Sequence, residues 1–239
     1  MKIVAPDYYP EFHCIAGECR HTCCQGWEVD IDEETLAHYA AYPEIMEKIG
    51  KEETPHFRLE EEERCPFLRK DGLCELIVRH GEGILAQICR DHPRFRNFWS
   101  DRTEIGLGLV CEEAGRLILG REKPMTLITL SDDGEEIALS EEEEWLLSYR
   151  DALLSEIREE GPRARLMEYL IYRHLPDALY DGLVEERLAF IRASFKEITR
   201  AWERSEGCME EMVETVRKWS YDVEYDEEEL EKRIKDPRE

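Results

Sequence analysis

No apolar run in this 239-residue chain approaches the roughly 20 residues that a membrane-spanning helix needs. The N-terminal stretch MKIVAPDYYPEF carries neither the charged nor the apolar region of a secretory signal. A soluble, cytoplasmic protein without a membrane partner is therefore expected. Basic residues are also scarce. Lys and Arg total 32 against 57 Asp and Glu, leaving a net charge of -25. That deficit excludes a generally phosphate-neutralising surface, so nucleic acid is not the expected partner, although a local basic patch remains open. Two donor-binding signatures are missing as well. The stretch Glu104 to Leu109 is too short and wrongly placed for a dinucleotide-type glycine loop, and no C-x3-C-x2-C radical-enzyme spacing occurs, because Cys24 follows Cys23 directly.

Cysteine is what the chain has in surplus for a protein of a reducing compartment. Of nine, eight fall in the first 111 residues: Cys14, Cys19, Cys23, Cys24, Cys65, Cys74, Cys89 and Cys111. Nine in 239 residues is too sparse for a disulfide scaffold, whereas clustered thiols in a cytosol point to metal. The first group, C-x4-C-x3-C-C, packs four soft ligands into eleven residues and favours zinc or an iron-sulfur cluster over a hard cation. Side chains of adjacent residues diverge, so Cys23 and Cys24 do not easily serve one ion, and one of the two is free to join another site. The second group, C-x8-C-x14-C-x21-C, is spread over a tertiary site rather than a local finger. The competing readings are zinc without redox chemistry and, for individual members, inert buried thiols. Cys208 stands apart and is expected to be structural.

The expected fold is mainly α: a Cys-rich metal-binding module over residues 1–120 with one small β-hairpin, a linker with a possible short β segment over 121–144, and an amphipathic helical bundle over 145–239 ending in a polar tail. Asp32, Glu33 and Glu34 suit the start of a helix through Ile49, which Pro43 is expected to split. The hairpin is placed at Phe57 to Val78 on its Asp71-Gly72 turn. Helices are expected from Gly83 to His92 and from Cys111 to Leu119. Ser140 and Glu143 form a capping-box pattern for the next helix, and amphipathic runs follow it. The glutamate runs Glu60 to Glu63 and Glu141 to Glu144 are expected to be solvated, and Glu224 to Glu239 to be frayed or disordered.

Four segments carry a family resemblance: F-H-C-x4-C-x-x-x-C-C-x-G-W-x-V-D-I-D at 12–32, C-P-F-L-x-x-D-G-L-C at 65–74, G-E-x-x-L-x-x-I-C-R-x-x-P-R at 81–94, and Cys-Glu-Glu-Ala at 111–114. Together they resemble the flagellin lysine-N-methylase family, itself similar to Cys-cluster proteins described as zinc- or iron-chelating domains. The likeness covers about the first half of the chain, which is shorter than members of that family commonly run. It implies a [4Fe-4S] cluster with zinc as the alternative, S-adenosylmethionine as methyl donor, and N-methylation of exposed lysines on a protein substrate such as flagellin. The chain departs from the family at His92, where an aromatic usually precedes Pro-Arg, and at Cys111-Glu112-Glu113-Ala114-Gly115, where Cys-Pro-Glu-Ala-Ala is usual.

An iron-sulfur-dependent protein-lysine N-methyltransferase is thus the first expectation, and a non-catalytic zinc- or iron-binding domain with a protein-interaction role is the second. Residues 64 to 102 carry eight Lys or Arg against five Asp or Glu, reversing the balance of the whole chain. Arg90 and Arg94 lie beside motif cysteines, where a guanidinium offsets cluster charge and grips a donor carboxylate. Trp27 can cover an adenine-like ring or a sulfonium; core packing is its competing role. These three residues form the expected donor site. No catalytic residue is assigned.

Overall fold

The computed structural model describes residues 1–50, 54–204 and 207–237. In chain order its strands are β1 (Lys2–Pro6), β2 (Ile49–Gly50), β3 (His56–Phe57), β4 (Arg94–Phe98), β5 (Arg102–Leu107) and β6 (Leu127–Asp132). The α-helices are α1 (Glu33–Tyr39), α2 (Pro43–Met46), α3 (Glu75–His80), α4 (Gln87–Asp91), α5 (Glu112–Leu119), α6 (Glu141–Glu156), α7 (Pro162–His174), α8 (Ala178–Asp181), α9 (Val184–Glu203), α10 (Met209–Val223) and α11 (Glu227–Lys235). Helix predominates, as the periodicity implies. The chain separates into a smaller unit, Cys14–His92, and a larger one, Met1–His13 with Pro93–Glu239. These borders do not coincide with the sequence divisions at 120 and 144. No helix among the described residues is long and apolar enough to cross a membrane.

In the smaller unit the V-D-I-D stretch does two jobs. Val29 and Ile31 are buried, and their backbone runs beside 55–57, with Ile31 N–H donating to Pro55 O at 2.7 Å and Phe57 N–H to Val29 O at 3.1 Å. Asp32 then caps α1, its carboxylate accepting from Thr35 N–H at 2.8 Å. Pro43 opens α2, which divides the expected helix in two. Around Tyr39, Ile45, Phe57, Phe67 and Leu76 these short pieces close one small core.

The hairpin expected over 57–78 does not form. Its turn is present, with Gly72 at φ +79° and Arg69 N–H donating to Leu73 O at 2.9 Å, but the flanks pair only at the single bridge Leu68 to Cys74. Glu62 and Glu63 sit at positive φ on one side, and α3 begins straight after Cys74 on the other, so neither arm extends. The well-formed hairpin of the chain is instead β4–β5, with Phe95 paired to Gly106. Gly106 has a packing reason: a Cβ there would fall 2.1 Å from Phe95 Cζ, so the ring lies over the bare backbone. The helix expected at Gly83 to His92 is reduced to α4 behind a 3-10 turn at Glu82–Ile84.

The larger unit is built on a mixed sheet in the order β4-β5-β1-β6, with β1 parallel to β5 and antiparallel to β6. Glu104, Ile105, Gly106 and Leu107 of β5 are all buried, as befits an inner strand. Helices α5, α7, α9 and α10 share one apolar core with Phe95, Trp99 and Leu107 of the hairpin region. Gly115, one of the departures from the family pattern, has Val213 Cγ1 3.3 Å from the place of a Cβ, so the bare backbone lets α5 lie close to α10. The Ser140–Glu143 capping box forms, and Glu143 also accepts from Ser100 N–H at 2.7 Å; it is buried, unlike the other glutamates of its run. The polar C-terminal stretch is not frayed where described. Helix α11 is capped by Asp226, and Ile234 is buried.

Two buried polar clusters hold this unit together. Arg150 on α6 makes a bidentate pair with Glu104 on β5, at 2.5 and 2.8 Å, with the guanidinium over Trp99 and Tyr172. The second joins His174 of α7 to Glu224 at 2.8 Å; the same carboxylate accepts from Tyr169 Oη at 2.8 Å and from Ser220 Oγ. Burial pushes the His174 imidazole below its ordinary value, against the pull of Glu224. Burial disfavours the Glu224 carboxylate too, but the His174 hydrogen bond and neighbouring positive charge outweigh it and leave its acidity strengthened.

Each cluster yields a measurable outcome. Arg150→Ala leaves Glu104 buried without its partner and should cost about 3–5 kcal/mol in denaturant unfolding; a loss below about 1 kcal/mol would show that the pair is not holding the sheet to α6. For His174, the unfolded chain takes up a proton near pH 6.5 while the folded chain resists it to lower pH. Stability contributed by neutral His174 is therefore complete above that value and lost as pH falls below it. Glu224 acts in the same direction further down. Unfolding measured between pH 7.5 and 5.5 should show this slope, and it should flatten in His174→Gln.

Candidate metal centre

The thiols are gathered by backbone contacts between loops. The turn at Glu62 and Glu63 presents its carbonyls to the first motif: Gln25 Nε2 donates to Glu62 O at 3.0 Å and Gly26 N–H to Glu63 O at 3.1 Å. Cys65 N–H then reaches Cys24 O at 2.8 Å, which sets the two cysteines side by side. The glutamate side chains of this run are exposed, as expected, while their backbone does the docking. The Asp71-Gly72 turn works likewise. A Cβ on Gly17 would lie 3.1 Å from Asp71 O, so the loop between Cys14 and Cys19 rests against the turn that leads into Cys74.

Cys74 is the N-cap residue of α3 and Cys89 lies on α4. Burial first, and then the charges of Cys24, Cys65 and Cys74, push the Cys89 thiol up to about 12. Cys65 is also raised to about 12, by burial and by Cys24 and Cys74, although the Phe67 N–H partly offsets this. Cys74 is raised by burial too, against the N–H groups of the first turn of α3. Cys24 goes the other way, to about 7, chiefly because it accepts a hydrogen bond from the Cys23 thiol, with Thr22 helping. Cys23, as the donor, is raised. Of Cys24, Cys65, Cys74 and Cys89, Cys24 is thus the one that ionises first, and its charge reaches the other three.

This regroups the two sequence clusters. The charge of Cys24 reaches Cys65, Cys74 and Cys89, and that of Cys89 reaches Cys23, while the Cys23 and Cys24 thiols stay hydrogen-bonded to each other; adjacent side chains here do not diverge as expected. Cys14 is exposed and accepts from Ala16 N–H at 3.4 Å, within reach of the Cys23 charge; Cys19 donates to His21 O at 2.6 Å. Cys111 belongs to the larger unit, at the N-cap of α5 beside Tyr225. Cys208 is exposed at the N-cap of α10. Of the expected donor residues, Trp27 and Arg90 lie in the smaller unit. The Trp27 indole donates to Cys23 O at 2.7 Å and stacks with His92 at 6.2 Å, while Arg90 bonds Gln87 Oε1 at 2.8 Å. Arg94 lies in the larger unit, with its Nε bonded to Tyr9 Oη at 2.8 Å and its guanidinium over Tyr9 and Phe12.

Sequence reasoning missed Tyr39. Its ring is fully buried, and burial, then the charges of Cys89 and Cys74, keep its hydroxyl protonated. Spacing marks it only as one more apolar position on α1; a contact with thiols from 35 and 50 residues away leaves no local trace.

Among the described residues no three His, Cys, Asp or Glu side chains converge as a group able to hold a single ion. The donor set nevertheless has the chemistry of a soft-metal site: four thiols from four segments, whose ionised forms repel one another in partly or fully buried surroundings. A polynuclear cluster takes each thiolate on a different iron, so its ligands need not point at one centre.

A thiol-rich unit joined in sequence to a helical one is the class of protein these features define. The chain is 26% identical over 139 residues to the lysine-N-methylases of Salmonella typhimurium and Salmonella choleraesuis, a match that takes in 53% of this chain and 35% of each relative. It is 25% identical, again over 139 residues, to the flagellar biosynthetic protein FliU of Salmonella muenchen, covering 82% of that protein. The chain therefore spans about a third of the curated lysine-N-methylases it matches and is distantly related to them over about half of its own length. No protein-family model and no solved structure matches it.

The coupled Cys23–Cys24 pair sets an expectation for the metal-free chain. Alkylation of Cys24 by iodoacetamide, followed by peptide mass mapping across pH, should show a midpoint near pH 7, while Cys65 and Cys89 remain unreactive there. Equal rates at all three thiols would sink this ordering.

Proposed function

We propose that the smaller unit holds a [4Fe-4S] cluster through Cys24, Cys65, Cys74 and Cys89, and that the protein is an S-adenosylmethionine-dependent protein-lysine N-methyltransferase acting on exposed lysines of a protein such as flagellin. What supports the cluster is that Cys65 is buried in one small core and Cys24, Cys74 and Cys89, from three other segments, pack against that same core. What supports the methyl transfer is the distant relation to proteins named lysine-N-methylase. A flagellin-related target is supported by the name of FliU.

A bound cluster would supply thiolate-ligated iron, able to ligate a donor molecule or pass an electron. The chain's own residues account for the rest. Methyl transfer to lysine needs a neutral amine in line with the sulfonium methyl and a route for the released proton. The excess of 25 negative charges draws a cationic target toward the protein. Trp27, held by its bond to Cys23 O beside the cluster loop, offers a ring face to a sulfonium or an adenine, and Arg90 offers a guanidinium to a carboxylate. Tyr39, kept protonated, would stay neutral behind the thiolates.

Purification without oxygen, with iron, sulfide and zinc analysis, tests the centre. About four iron and four sulfide per chain are expected. Replacing Cys24, Cys65, Cys74 or Cys89 singly with Ser should empty the site and destabilise the smaller unit, since metal binding energy contributes to folding in loop-rich sites. Cys208→Ser should keep the metal. One zinc per chain without sulfide would sink the cluster and favour the non-catalytic metal-binding domain. Labelled methyl transfer from S-adenosylmethionine to flagellin, present in the loaded protein and absent in Cys65→Ser, tests the activity.

A further inference from the structure

The larger unit carries a second candidate site, independent of the thiols. Helices α9 and α11 flank an open cavity of about 560 Å³, with buried Phe190 and Ser194 in its lining and Lys196, Arg200, Arg204, Lys232 and Arg233 around it. That volume is in the range that takes a small organic molecule.

Its charge runs against that of the chain. Most arginines of this protein are paired, as an excess of carboxylates makes easy. On α9, however, Arg192, Lys196, Arg200 and Arg204 follow one another at four-residue intervals, on neighbouring turns of one helix face. Among the described residues none of the four makes a side-chain hydrogen bond or ion pair. The carboxylates of the cavity do not answer them. Glu197 bonds Arg233 at 2.6 Å, and Glu229 bonds both Arg233 at 2.8 Å and Lys232 at 2.6 Å. Of these bonds only Arg233–Glu197 ties α11 to α9; those of Glu229 lie within α11, and Lys232 and Arg233 draw its carboxyl down to about 2. Of the third carboxylate, Asp236, only the backbone N–H is engaged, with Lys232 O. Five cations thus face three carboxylates, and two of the three are already committed.

Like charges on successive turns of one helix repel and cost stability. In a chain so rich in Glu and Asp, a stripe of unanswered cations beside a cavity is accounted for by an anion supplied from outside. Guanidinium groups match phosphate oxygens in a planar, bidentate fork, and two of the three α9 cations lining the cavity are arginines. The apolar part of the lining, Phe190 with Ala193 and Pro237, suits the organic part of such a ligand.

We propose that the α9–α11 cavity is a binding site for a small phosphate-bearing molecule, gripped by Lys196, Arg200 and Arg204. The test is calorimetry on the full chain at low ionic strength, with inorganic pyrophosphate, ADP and citrate as probes. A phosphate-bearing probe should bind, more tightly than citrate, and more weakly as salt rises. Arg200→Gln should weaken binding about ten-fold or more, the loss expected of one charge-assisted contact. K196Q/R200Q/R204Q should abolish it without lowering the melting temperature of the unliganded chain, because all three side chains are exposed and their mutual repulsion is relieved. Lys123→Gln, an exposed cation outside the cavity, should bind as the parent does. Absence of binding, preference for citrate, binding that survives the triple substitution, or an equal loss in Lys123→Gln would each overturn the proposal.

Discussion

The larger unit depends on one buried charge pair. Arg150 and Glu104 are almost wholly removed from water, and each is tolerable there only because the other is present. Their bidentate geometry fixes α6 against β5, and the two rings beside the guanidinium, Trp99 and Tyr172, tie in the turn of the hairpin and α7. Two more polar bonds run the same way: Asn97 donates to Tyr172 O at 3.1 Å, and Tyr172 donates to Ile105 O at 3.2 Å. Apolar burial supplies most of the driving force here, as in any core of this size. The polar bonds select one register of sheet against helices, because a slip by one residue would strand a charge in the interior.

The smaller unit obeys a different constraint. Its core of short helices and two-residue strands is modest, and several of the groups around it are thiols whose ionised forms repel. Left to themselves, Cys65 and Cys89 stay protonated at neutral pH, while Cys24, helped by Cys23 and Thr22, gives up its proton readily. A soft cation reverses the balance, since it replaces the protons and turns mutual repulsion into shared attraction. On the proposed reading, the same features that make the thiols awkward neighbours would suit them as ligands. The turns that hold them, with non-glycine residues at positive φ at Ala16, Glu62 and Glu63, carry a backbone strain that a bound centre could offset.

Much of this organisation is legible in the sequence, where local chemistry is decisive. The Asp32 cap, the break at Pro43, the Ser140–Glu143 capping box and the amphipathic helices from Glu141 onward all form. Pairings that depend on distant partners were not legible. The alternation in Arg94 to Leu107 reads as a strand pair once Phe95 is seen to cover Gly106, yet without that contact Gly106 and Gly108 suggest only a loop. The first strand, Lys2–Pro6, is recognisable only by its partners a hundred residues later. For the thiols, spacing pointed to the region, but the approach of Cys65 to Cys24 follows from a backbone bond between distant loops, which no local pattern encodes. The polar end of the chain misleads for a related reason: Glu224 is buried because His174, Tyr169 and Ser220 answer it.

Charge placement links these observations. A chain with 57 acidic and 32 basic residues can neutralise nearly every cation, and where one is buried it does so closely, as at Arg150, Arg165 with Glu168, and Arg187 with Asp177 and Asp181. With acid in such excess, unpaired cations are the departure that needs a cause. Long side chains in water lose little by remaining unpaired, so a single free Lys or Arg carries no message. A run of them on one face is different, because each raises the electrostatic cost of the next and a Glu at any of those positions would remove it. The α9 stripe keeps that cost at the mouth of a cavity, while the two nearest glutamates are spent on Arg233 and Lys232. Repulsion left unrelieved in the free protein is available as attraction to a bound anion, by the same reasoning that makes crowded thiols receptive to a cation.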